Sequence, residues 1–138
     1  MFIRIFSSLL FYFVTANVFA STLSVEHFKS IGNDIYRNPH PIYLQLLDIE
    51  QSQTQLSEEA QLWLLYRRAQ AENLLYFYDE FEQTVQKATT LFNDKTSPEI
   101  LSSFSIYQGI FEQRNGQYSQ SDEYFVKAMD IAHEHDLN

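Results

Sequence analysis

The chain has 138 residues, 45% of them hydrophobic, with 18 acidic side chains against 9 basic ones, a formal charge of −9 and no cysteine. Such acidity argues against nucleic acid and anionic membrane surfaces as partners, because both select a basic face. Without cysteine there is no disulfide framework, and the length suffices for one domain with its own core.

Residues 1–20 differ from everything after them. Arg4 supplies a positive start, residues 5–14 are largely apolar, and Val18-Phe19-Ala20 is a small-x-small cleavage pattern before Ser21. These features predict a secretory signal cut after Ala20. The apolar run, interrupted by Ser7, Ser8 and Thr15, is short of the roughly 20 residues a spanning helix needs. An uncleaved N-terminal membrane anchor is the competing reading. Cleavage would leave 118 residues and, with Arg4 gone, a charge of −10. The expected product is one domain, residues 21–138, in a periplasm or outside the cell.

Residues 24–37 carry Val25, Phe28, Ile31, Ile35 and Tyr36, a short amphipathic segment interrupted at Gly32-Asn33. Asn38-Pro39-His40-Pro41 then breaks the chain, and a helix is expected from Pro41 with Ile42, Tyr43, Leu46, Leu47 and Ile49. Ser57-Glu58-Glu59 is the next start signal. The helix it opens runs to about Tyr78 and is apolar around much of its circumference, as in a helix sandwiched between neighbours. Arg67, Arg68 and Glu72 are expected on its wet side. Asp79-Glu80 opens another helix, with Phe81, Val85, Ala88, Leu91 and Phe92 facing inward, and residues 93–97 form a loop.

Ser97-Pro98-Glu99 combines a capping serine, a first-turn proline and an acid at the positive helix end. Ile100, Leu101, Phe104, Tyr107, Ile110 and Phe111 follow at helical spacing. Gly109 inside that stripe predicts close approach of a second helix. Gly116 then ends the helix by taking the left-handed conformation. Tyr118, Ser121, Phe125, Ala128, Met129 and Ala132 mark the returning helix.

This hairpin resembles the tetratricopeptide repeat, whose small and aromatic positions are matched by Gly109, Gly116, Tyr118, Ser121, Phe125 and Ala128. Glu112 stands where that family has an aromatic, and no proline ends the second helix. The resemblance covers about one repeat and implies an all-α fold, a stack of about three antiparallel helical hairpins forming a degenerate superhelix. The preceding hairpin superposes on it by a shift of 37, pairing Phe81 with Tyr118 and Asp79 with Gly116. A shift of 40 pairs Lys87-Ala88 with Lys127-Ala128 and Ala69 with Gly109. The shift of 37 is preferred because it sets turn on turn, and the sequence leaves both open.

A leader followed by such repeats is also similar to the extracytoplasmic sensor region of bacterial transducers, such as membrane-bound diguanylate cyclases with a GGDEF domain. Residues 56–61, Leu64-Leu65-Tyr66 and residues 79–83 carry that similarity. No cyclase activity comes with it, because the chain has no catalytic motif of that family.

No catalytic constellation is present, and nothing points to a cofactor or metal. His133 and His135 are two residues apart, which on a helix sets them on different faces rather than on one. Glu58-Glu59 and Asp79-Glu80 read as helix-start charges. The tetratricopeptide resemblance implies a groove lined by first helices, here Ser103, Ile106, Ile110, Gln113 and Arg114. With the shift of 37 the earlier hairpin adds Tyr66, Ala69, Asn73, Tyr76 and Phe77. Tyr66, Asn73, Tyr76, Gln113 and Arg114 are the candidate ligand residues, suited to a peptide or protein partner of unknown identity. The expected function is a non-catalytic binding or sensory-input module. The alternatives are an assembly protein that dimerises through its uncapped C-terminal helix and, behind that, a secreted enzyme. That last helix, with Tyr118, Phe125, Met129 and Ile131, also fits the front part of a longer protein.

Overall fold

The computed structural model describes residues 23–52 and 55–137, so the expected leader at residues 1–20 lies outside the described residues. The described chain is all helical: α1 (Val25–Ser30), α2 (Gly32–Ile35), α3 (Pro39–Gln51), α4 (Glu58–Leu74), α5 (Tyr78–Thr89), α6 (Pro98–Arg114) and α7 (Tyr118–Glu134). None of these helices is long and apolar enough to cross a membrane.

A serine cap opens α1, α4 and α6. Ser24, Ser57 and Ser97 sit in extended backbone and accept from the N–H groups of His27, Ala60 and Ile100. Each satisfies one of the donors a helix start leaves free. Helix α3 begins at Pro39, two residues before the expected Pro41, because both prolines fall in a first turn where a missing N–H breaks no bond.

The end of α4 departs further from expectation. It stops at Leu74, and Leu75-Tyr76-Phe77 form a turn in which Tyr76 is left-handed at φ 61°. The Tyr76 N–H donates to the Asn73 carbonyl and the Phe77 N–H to the Glu72 carbonyl. Gly116, at φ 75°, donates to Gln113, and Gln117 donates to Glu112, in the same double-bonded closure. Turn therefore falls on turn at a shift of 40, Tyr76 on Gly116 and Ser57 on Ser97, which corrects the preferred shift of 37. A run of leucines and aromatics concealed a turn that has no glycine.

In the last hairpin the small residues act at the seam. A Cβ on Gly109 would stand 2.6 Å from the Phe125 ring. The Ser121 hydroxyl donates to the Gly109 carbonyl at 2.9 Å and Ser102 to the Ala128 carbonyl at 3.0 Å. The order of these pairs, 102 with 128 and 109 with 121, makes α6 and α7 antiparallel. Beside them α4 and α6 run parallel, with Tyr66 against Tyr107 and Asn73 against Arg114.

Helix α4 packs on α1, α2, α3, α5 and α6. Trp63, Leu64, Leu65, Ala69 and Ala71 are buried there, as the sandwiched reading requires, but so are Arg67 and Glu72. The expectation of a wet side at Arg67, Arg68 and Glu72 is thereby corrected. Arg67 lies under the first two helices, donating to the carbonyls of Phe28 and Lys29 and to Gln70, its guanidinium 4.9 Å from the Tyr66 ring. Its positive charge meets the negative end of α1 in place of a carboxylate.

The two turns respond to substitution with opposite sign. A left-handed L-residue costs about 1–2 kcal/mol, partly offset by the entropy glycine loses on folding. Tyr76→Gly is therefore expected to stabilise by about 0.5–1 kcal/mol and Gly116→Ala to destabilise by about 1 kcal/mol. Urea unfolding of both variants checks the pair.

Candidate functional site

Two clusters of polar and aromatic side chains stand out. The first runs from the core to the surface. Arg68 bridges Glu50 of α3 and Glu72 of α4, and Lys87 of α5 reaches Glu50. Glu72 is fully buried, and neither its Oε2 nor the neighbouring Thr84 hydroxyl closes a hydrogen bond of ordinary geometry. Burial raises the Glu72 carboxyl above its usual range, and the nearby Thr84 and Arg68 offset only part of that. Burial also opposes the Glu50 charge, but the Lys87 hydrogen bond and the Arg68 charge win and hold Glu50 low. Burial, with Glu72 adding to it, likewise raises the Tyr43 hydroxyl. A perturbed carboxyl can mark an active site. Here the ion pairs of the cluster join α3, α4 and α5.

The second cluster is open. The α4–α5 turn and the end of α6 meet at one edge of the stack. There the Arg114 guanidinium donates to the Asn73 side-chain carbonyl. It also lies 4.1 Å from the centre of the Tyr78 ring and 5.2 Å from that of Phe81. Tyr76, 73% exposed, touches Tyr78 edge-on at 6.0 Å. From this edge a groove of about 400 Å³ runs between α5 and α6, lined by Tyr78, Asp79, Phe81, Glu82, Phe111, Arg114 and Asn115. A narrower continuation of about 190 Å³ shares Glu82 and Phe111 and ends at Thr89, Gln108 and Tyr124.

Of the expected ligand residues, Asn73, Tyr76 and Arg114 come together at this edge. Tyr66 stands apart, half-buried against Trp63, Phe104 and Tyr107. Beside it the Tyr107 hydroxyl is pushed well up by burial, with Tyr66 adding to the effect. Gln113 is exposed on α6. At the observed shift of 40, the residues equivalent to Ser103, Ile106, Ile110, Gln113 and Arg114 are Trp63, Tyr66, Gln70, Asn73 and Leu74. Ala69, Tyr76 and Phe77 thus lose their assumed equivalence: Ala69 is fully buried, and Phe77 packs on Tyr43 at 5.4 Å. Of the hairpin-signature residues, Ser121 and Ala128 are buried, Phe125 is half-buried and Tyr118 is 66% exposed.

Sequence reasoning missed Tyr78, Phe81, Glu82 and Phe111 as one lining set, because it placed the groove along first helices rather than between α5 and α6. The available signal was Glu112, a polar residue where the repeat pattern expects an aromatic; it lines the narrow end. His133 and His135 are both exposed, and no group of three or more His, Asp or Glu suited to a metal gathers among the described residues. The chain matches no protein-family model, no curated protein and no solved structure.

The raised Glu72 carboxyl gives a signed pH dependence. Its folded pKa exceeds the ordinary 4.5, so the native state holds a proton that the unfolded chain releases between those values. This contribution is full below 4.5 and is lost as pH rises through the folded value. Relative to Glu72→Gln, the wild type is expected to gain stability between about pH 7 and about pH 4. A difference in urea-unfolding free energy that stays flat over this range would contradict the assignment.

Proposed function

We propose that this protein is a non-catalytic helical-repeat module that binds a peptide or protein segment in the groove between α5 and α6. The observation that carries this is the groove itself, a floor of Tyr78 and Phe111 over the buried Phe81, open along one side, with Arg114 fixed at its mouth by Asn73 and the Tyr78 ring. Recognition surfaces concentrate their energy in aromatic and arginine anchors of this kind. A stacked guanidinium is also pre-ordered, which lowers the entropy lost on binding. The tetratricopeptide-like pattern at Gly109, Gly116, Tyr118, Ser121, Phe125 and Ala128 supports the same reading, as a repeat that presents surfaces rather than catalytic groups. In this proposal the leader directs the domain out of the cytoplasm, and the module serves as an adaptor or as sensory input to a signalling protein.

The purified protein tests this against a library of short peptides. A subset is expected to bind, with affinity falling at least about tenfold in Arg114→Ala and Tyr78→Ala, substitutions of exposed side chains that leave the core intact. No binding, or binding that both variants retain, would overturn the reading.

One observation favours a second reading, assembly through α7. Tyr118 and Met129 lie about three turns apart on one face of α7 and are 66% and 64% exposed. That reading predicts a dimer that dissociates on dilution and is abolished by Met129→Asp. A mass by light scattering that is independent of concentration supports the groove instead.

A further inference from the structure

The groove also carries information about the charge of what it takes, and this inference rests on the binding reading above. Asp79 and Glu82 line its wide end, and Glu82 and Glu112 its narrow end. Among the described residues none of these carboxylates forms an ion pair; Glu82 accepts only from the Gln86 amide, at 2.9 Å. Arg114, the one cation among the lining residues, does not neutralise them. It spends its nearest donor on Asn73 and its flat face on Tyr78 and Phe81. By contrast, Glu50 and Glu72, where α3, α4 and α5 meet, are each matched by a cation.

We infer that the occupant is a basic peptide segment, one lysine or arginine beside an aromatic or branched apolar side chain. The apolar side chain would rest on Tyr78 and Phe111, and the cation would fall among Asp79, Glu82 and Glu112. A carboxylate-bearing segment would have to approach a chain of net charge −9 through those acids before reaching Arg114 at the rim. Three carboxylates without an ion-pair partner, with water on one side, draw a cationic partner over a Debye length, about 8 Å in physiological salt.

Fluorescence anisotropy with matched labelled peptides separates the outcomes. The peptides share one apolar core and differ only in carrying Lys and Arg, or Asp and Glu. The basic peptide is expected to bind, with at least about tenfold loss in Asp79→Asn/Glu82→Gln/Glu112→Gln and a similar loss on raising salt from about 0.02 to about 0.2 M. Glu82→Gln alone gives a smaller loss of the same sign, and serves if the triple variant loses its helical circular dichroism. Tighter binding of the acidic peptide, or basic-peptide binding indifferent to salt and to these variants, overturns the charge assignment and leaves the groove reading standing. If neither peptide binds, the groove reading falls with it.

Discussion

Helix α4 is packed against five of the other six described helices, and the rest of the structure follows from that constraint. A helix covered on so many sides leaves little solvent face along its middle, so Arg67, Gln70 and Glu72 find their partners inside the protein. The matches are what assemble the domain. Arg67 draws in the carbonyl end of α1, and Gly32 makes room for it, since a Cβ there would stand 2.5 Å from the guanidinium. Arg68 and Glu72 tie α3 and α5 to the same helix through Glu50 and Lys87. Removing one member of such a set leaves a charge buried without compensation, which generally destabilises more than the intact pair stabilises.

The proposed binding surface depends on how α4 ends. Closing the turn at Tyr76 rather than near Asp79 sets the hairpins in a register of 40. The C-termini of α4 and α6 then meet at one edge, close enough for Arg114 to bond Asn73 and cover Tyr78. A left-handed tyrosine is an expensive way to close that turn, and it leaves the ring 73% exposed beside the groove mouth. Strain retained where a glycine would serve often coincides with function. At the equivalent position in the next hairpin Gly116 stands instead, and no aromatic projects.

The caps and the helix periodicity were legible in the sequence because they depend on nearby residues. Ser57, Ser97, Pro98 and Gly116 behave as their local chemistry dictates, and Gly109 meets Phe125 as a glycine in an apolar stripe suggests. The α4–α5 turn was not legible, because it is held by the half-buried Leu75 and Phe77 flanking Tyr76, and such support comes from tertiary packing. Arg67 and Glu72 were misplaced for a related reason. Charged residues default to water, and only the neighbours of α4 show that none is available. Of the candidate ligand residues, Asn73, Tyr76 and Arg114 converge because they lie near helix ends, whereas Tyr66 is claimed by the aromatic seam between α4 and α6.

The most direct measurement is a hydrogen–deuterium exchange footprint of the whole protein, with and without a saturating Lys- and Arg-bearing peptide. Slowed exchange is expected in residues 78–89 and 108–117, the two walls of the groove and its mouth, with α7 beyond Tyr124 unchanged. Protection confined to residues 118–134, or spread along the opposite side of α4, would place binding elsewhere and contradict the groove reading.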